Sequence, residues 1–216
     1  MVKVKLYKVD QIPIEKIVRA NLAHRQYDHD TGFGFEVIDD DEEFIIQFTE
    51  RQILKQEIET LDGSVSTIES VSYIKVKFGI RFGTKHAVYV IDPPRSMKHP
   101  FEMIRTLFGS DCNLQPAEFD LKTLLLIFDA SYKHVIKSMS LSNIHCDANT
   151  LAKTKIVSSK DLHPFYLNNY SDTKAVIDII HMEVDGIDVE LSRTGRFRLH
   201  EAKLPRFMLM LEHSFQ

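Results

Sequence analysis

Residues 71–91 read VSYIKVKFGIRFGTKHAVYVI and contain no acidic side chain. Ile74, Val76, Phe78, Ile80 and Phe82 alternate with Tyr73, Lys75, Lys77, Gly79 and Arg81, the period of two that sends successive side chains to opposite faces of a strand. One face is therefore apolar and the other basic.

Upstream, Phe44, Ile46 and Phe48 alternate in the same way, and Asp62-Gly63-Ser64 offers a three-residue hairpin loop with glycine for the left-handed position. A two-residue Asp62-Gly63 turn would set Ile46 against Gly79 and Phe48 against Lys77. The three-residue loop instead pairs Phe44 with Phe82, Ile46 with Ile80, Phe48 with Phe78 and Ile58 with Ile68, keeping one face apolar throughout. The same argument at Gly83-Thr84-Lys85 pairs Ile80 with Val88 and Phe78 with Val90, and brings Tyr89 beside Gly79, where an aromatic ring covers the missing side chain. Three long antiparallel strands follow, and Asp92-Pro93-Pro94 ends them because proline donates nothing to a ladder.

Working outward, Val2, Val4 and Leu6 alternate with Lys3, Lys5 and Tyr7 as a first strand, and Ile14, Ile17, Val18 and Leu22 recur at helical spacing behind Pro13. Phe33, Phe35 and Val37 predict a strand that turns through the acidic run Asp39 to Glu43. Further helices are expected over residues 100–108, stopped by Gly109, and over 205–215, opened by Pro205. Leu121 to Ala130 is a continuous apolar run that fits a buried helix or a buried strand equally. Residues 135–145, 151–157, 176–184, 187–191 and 197–199 read as strands, with turns at Asp185-Gly186 and Thr194-Gly195 and a turn or short helix around Pro164. The class is α+β: antiparallel hairpins and a meander with about three helices. The order hairpin, proline, helix occurs in residues 71–109 and again in 176–216, which raises an internal duplication although shared residue identities are few. The division is a β-rich half, 1–95, and a mixed half, 96–216, with a single domain equally compatible.

With 216 residues, 44% of them apolar, the chain can build a core without staples. Two cysteines, Cys112 and Cys146, are too few for a disulfide framework or a four-thiolate zinc site, and MVKVKLYKVD has no signal-peptide core. A reducing cytoplasmic location is expected. No apolar run is long enough to span a bilayer. A net charge of −4 means that nucleic-acid contact needs locally segregated charge.

Such segregation occurs on the polar face. Arg51, Lys55, Lys75, Lys77 and Arg81 share it with Tyr73 and Tyr89. Cations that neutralise phosphates among rings that accept bases suit a single-stranded nucleic acid, while an amphipathic strand needs a polar, solvated side in any case. Four other groupings carry weaker chemistry. His24, Asp28, His29 and Asp30 are metal-capable but match no ligand spacing, and Asp39, Asp41 and Glu43 alternate without the rest of a calcium loop. Asp111 with Asp120 and Lys122 resembles the acid and acid-x-Lys pattern of metal-dependent nucleases, although a helix cap explains the same letters. His145-Cys146-Asp147 places a thiol beside an imidazole, but adjacent strand residues face opposite ways. The consecutive apolar residues Phe207 to Leu211 belong to a core or to an oligomer interface.

No cofactor motif and no small-molecule site is legible. The expected function is a non-catalytic binding or accessory subunit that presents a basic, aromatic sheet face to a protein or to nucleic acid; a protein partner or self-association is expected. The competing class is a metal-dependent nuclease or phosphodiesterase.

Overall fold

The computed structural model describes residues 1–11, 14–40, 43–59, 61, 63, 65–84, 88–109 and 112–213. Pro13, Asp41, Asp62, Ser64, Lys85, Asp111 and Phe215, on which parts of the sequence reading rest, lie outside them. Among the described residues the chain forms β1 (Val2–Val9), α1 (Glu15–Ala23), β2 (Phe33–Asp39), β3 (Phe44–Glu59), β4 (Val65–Ile80), β5 (Val88–Ile91) and α2 (Lys98–Phe108). There follow β6 (Leu114–Pro116), α3 (Leu121–Ser131), β7 (His134–His145), β8 (Leu151–Val157), α4 (His163–Asn169), β9 (Val176–Val184), β10 (Ile187–Ser192), β11 (Arg196–Leu199) and α5 (Leu204–His213). The class is mixed α+β with antiparallel meanders, and five helices among the described residues replace the expected three. The two additions lie where the sequence was ambiguous. Asp120 caps α3 by accepting from the Lys122 amide, and Leu121, Leu124, Leu125 and Phe128 fall on one buried stripe, a helical spacing that a strand could not bury on one side. Pro164 enters α4 in its first turn, where its missing N–H costs nothing.

The chain divides into two compact units, residues 8–114 and residues 1–7 with 115–216. In the first, the strands run β2-β3-β4-β5, all antiparallel. Phe35, Ile46, Phe48, Val76, Phe78 and Val90 are buried beneath this sheet, each large side chain contributing about 1.5–3 kcal/mol. Phe35 and Phe48, paired across β2 and β3, have ring centroids 5.2 Å apart. Helices α1 and α2 bury Val18 and Leu22, and Ile104 and Leu107, respectively, and the Asn21 side chain donates to the Leu107 carbonyl at 3.0 Å.

The β4–β5 register is the expected one, with Phe78 opposite Val90, Gly79 opposite Tyr89 and Ile80 opposite Val88. The β3–β4 register differs by two residues: Phe44 faces Ile80, Ile46 faces Phe78, Phe48 faces Val76 and Ile58 faces Ser66. A slip of two preserves which face every side chain occupies, so hydrophobic alternation cannot distinguish the registers. Charge can. The expected pairing would oppose Glu57 to Glu69 and Arg51 to Lys75, whereas the observed one sets Lys55 against Glu69, with Nζ and Oε1 2.7 Å apart, and Arg51 against Tyr73. Like charges directly opposite are destabilising, and opposite charges contribute about 0.2–1 kcal/mol. Phe44 still reaches Phe82 diagonally, at a centroid distance of 5.5 Å.

In the second unit the strand order is β1-β11-β10-β9-β7-β8, again antiparallel. Asp185 and Gly186 join β9 to β10 with φ of 47° and 76°, the pair of positive values that a two-residue hairpin turn requires. In β1 the expected polar side is also covered: Lys5 and Tyr7 are buried, and Lys5 Nζ donates to the Thr194 carbonyl at 2.7 Å. Of the apolar run in α5, Phe207, Met208, Met210 and Leu211 are buried and Leu209 is exposed. Phe207 packs against Phe197 at 5.3 Å. Among the described residues, no helix is long and apolar enough to cross a membrane.

Candidate binding face

Alternation along β3 and β4 sets Gln47, Thr49, Arg51 and Lys55 on the face opposite the core, directly across from Lys77, Lys75, Tyr73 and Glu69. Same-face residues recur about every 7 Å along a strand, so Tyr73, Lys75 and Lys77 form a row. Tyr73 is half exposed, and Lys75 and Lys77 are exposed; neither lysine forms an ion pair with a described residue. Arg51 is fixed at the head of the row. Its amide donates to the Gly32 carbonyl at 2.6 Å, and its guanidinium lies over Gly32, where a Cβ would come within 3.3 Å of Nε. Of the residues singled out from the sequence, Arg51, Tyr73, Lys75 and Lys77 thus lie on one face.

Tyr89 does not join them. Tyr89 is fully buried over Gly79, and its hydroxyl donates to Glu43 at 3.0 Å. Burial, with the Glu43 charge beside it, holds the phenol well above its usual pKa. No ring face is left for stacking. Arg81 follows the end of β4 and is half buried, close enough for its charge to act on Tyr89.

Beyond Arg51 the two strands pair with no other strand among the described residues. β2 pairs β3 only as far as Glu50, and β5 pairs β4 only from Lys77 onward. The outer half is a two-stranded ribbon with Ile53 and Val71 on one face and Leu54, Ile58 and Ile68 on the other, all of them exposed. Its outward edges carry unpaired backbone donors and acceptors, a template for a further strand.

The other candidates resolve into local structure. Asp28 closes its own turn, accepting from the Asp30 amide with its carboxylate and from Gly32 N–H with its carbonyl. His24, Asp28, His29 and Asp30 are all exposed. Of the acidic tip, Asp40 binds Arg19 through both oxygens at 2.6 and 2.7 Å, Glu43 receives Tyr89, and Asp41 lies outside the described residues. Cys146 is exposed in a turn, its amide bonded to the Thr150 carbonyl.

Asp111 also lies outside the described residues, and the rest of the nuclease pattern is a helix cap: Asp120 accepts from Lys122 N–H and the Thr123 hydroxyl, while Lys122 Nζ donates to the Ser171 carbonyl. Asp120→Ala should therefore cost about 1 kcal/mol of stability at neutral pH, read from a urea midpoint. The Thr123 hydrogen bond, followed by those of the backbone, holds this carboxyl below the usual aspartate range against an opposing effect of burial. Its contribution is present above the unfolded pKa and is lost as pH falls through the lower native value. The gap between wild type and variant should close in strong acid.

No protein-family model matches the chain, and no curated protein matches it significantly.

Sequence reading missed one grouping. Asp129, His134 and His163 come from the end of α3, the start of β7 and the start of α4, and their ligand atoms all lie within 4.8 Å of one another. Only the fold brings the second histidine to the other two.

Proposed function

We propose that this chain is a non-catalytic binding or accessory subunit whose docking element is the β3–β4 ribbon, and that the partner best matched to its open β3 edge is a second copy of the chain. The observation that carries this reading is the outer half of the ribbon, which exposes apolar side chains on both faces among polar ones and is paired along its edges by no other described strand. A lone two-stranded ribbon is at best marginal in water, and a long apolar edge is a liability unless something pairs with it.

The sequence of β3 is complementary to itself. Antiparallel pairing of two copies about a twofold axis at Gln56 sets Lys55 opposite Glu57 and Leu54 opposite Ile58, each twice. Lys55 and Glu57 then meet as opposite charges on one face, where Ile53 falls against Glu59, and Leu54 and Ile58 meet on the other. Such an interface is isologous and closes as a dimer. Sedimentation velocity over a concentration series tests it: the expected result is a mass that rises from 25 kDa toward twice that value at about 10–100 μM, the range in which an association of about −6 kcal/mol is visible.

A second reading is favoured by the row Arg51, Tyr73, Lys75 and Lys77. Half-exposed tyrosine among cations suits single-stranded RNA or DNA. Labelled single-stranded oligonucleotides should bind at low salt, weaken as salt is raised, and lose at least about tenfold in affinity in Lys75→Glu/Lys77→Glu. Absence of binding by wild type at low salt removes this reading and leaves the ribbon pairing intact.

A further inference from the structure

We infer that Asp129, His134 and His163 form a binding site for one divalent transition-metal ion of the zinc class, clamping the end of α3 to the starts of β7 and α4. His134 Nε2 and His163 Nδ1 converge on the same carboxylate oxygen, Asp129 Oδ1, at 3.3 and 3.2 Å. Two ligand atoms about 2.1 Å from a tetrahedral ion lie about 3.4 Å apart, so both separations suit a shared ion. The imidazoles are set at 5.6 Å between centroids with planes 50° apart.

A buried orphan atom points to the ligand. The His134 side chain is only 5% exposed, and its Nε2 has no hydrogen-bond partner among the described residues, because its approach to Asp129 lacks hydrogen-bond geometry. A buried nitrogen left unsatisfied is costly, and coordination would satisfy it.

Hydrogen bonds to the main chain hold the ligand-bearing segments together. The Asp161 carboxylate accepts from the amides of both Ile136 and His163, and Leu162 N–H donates to the Ile136 carbonyl at 3.0 Å. These bonds tie the backbone next to His134 to the first residue of α4. His163 is also largely buried, whereas Asp129 is about one-third exposed, at 35%. The position left for water or an exogenous ligand therefore opens on the carboxylate side. Two imidazoles and one carboxylate suit zinc, with cobalt as its spectroscopic substitute, rather than the all-oxygen preference of calcium or magnesium.

The test is titration of the purified full chain with Zn2+ and Co2+. One equivalent of Zn2+ should bind and raise the melting temperature, and Co2+ should give the visible absorption of a nitrogen- and oxygen-ligated tetrahedral ion. His163→Gln should lower Zn2+ affinity by at least about 50-fold and abolish the thermal shift, with its circular dichroism unchanged. His24→Gln/His29→Gln, which removes the exposed histidines of the α1–β2 loop, should bind as wild type does. Should His163→Gln misfold, Asp129→Asn supplies the same readout from the most exposed ligand. The inference is overturned if wild type takes up no stoichiometric Zn2+, if folded ligand variants bind as tightly as wild type, or if affinity falls with His24 and His29 instead.

Discussion

Gly79→Ala should destabilise the protein by about 3 kcal/mol, at the upper end of what overpacking a core usually costs. A Cβ at this position would lie 1.9 Å from Tyr89 Cζ and 2.3 Å from its hydroxyl oxygen. The ring cannot swing aside: Tyr89 is fully buried, its hydroxyl is held by Glu43, and its backbone is paired directly opposite Gly79. The second half of the prediction separates this contact from a general weakness of glycine replacement. Tyr89→Val alone should also cost about 3 kcal/mol, through lost burial and a cavity. The double variant should cost about 3 rather than about 6 kcal/mol, since the smaller side chain makes room for the new methyl group and the two residues are coupled. Chemical denaturation of the four proteins gives the cycle, and additive losses would show that the ring does not occupy the space above Gly79.

The second large effect concerns association. Glu57→Lys should abolish dimer formation while leaving the melting temperature within a degree or two. In the proposed pairing the introduced ammonium group of each copy meets Lys55 of the other, turning two attractive contacts into two repulsive ones. Position 57 is exposed and faces Thr67 within its own ribbon, so the fold loses little. Lys55→Glu should have the same effect on association, because the introduced carboxylate of each copy meets Glu57 of the other. It also replaces the 2.7 Å ion pair with Glu69 by a like-charge contact, which adds a local cost of about 0.2–1 kcal/mol.

The faces of the sheet were legible in the sequence because one face is buried and the side-chain period is two. Ile46, Phe48, Val76 and Phe78 could hardly have pointed elsewhere. Register was only half legible: apolar alternation decides parity, and it was the charges at Arg51, Lys55, Glu57 and Glu69 that carried the remaining information. Asp185-Gly186 was readable because a two-residue turn imposes backbone demands that few residues meet. Other features depend on what the fold places on the second side of an element. Lys5 and Tyr7 look like the wet side of a strand until other structure covers them, and Tyr89 looks like a stacking ring until it is seen lying over Gly79. The row Arg51, Tyr73, Lys75 and Lys77 was legible because it rests on parity alone. Asp129, His134 and His163 were not, because no pattern within α3, β7 or α4 points to the other two.

The central claim, that the β3 edge pairs with itself, is tested most directly by mixing the two charge variants. Lys55→Glu carries two acids at positions 55 and 57, and Glu57→Lys carries two bases, so each should sediment alone as a 25 kDa monomer. Mixed in equal amounts, they should restore a dimer containing one copy of each, because both contacts between positions 55 and 57 across the twofold are again between opposite charges. Persistence of monomers in the mixture, or dimers in either variant alone as strong as those of wild type, would contradict the pairing.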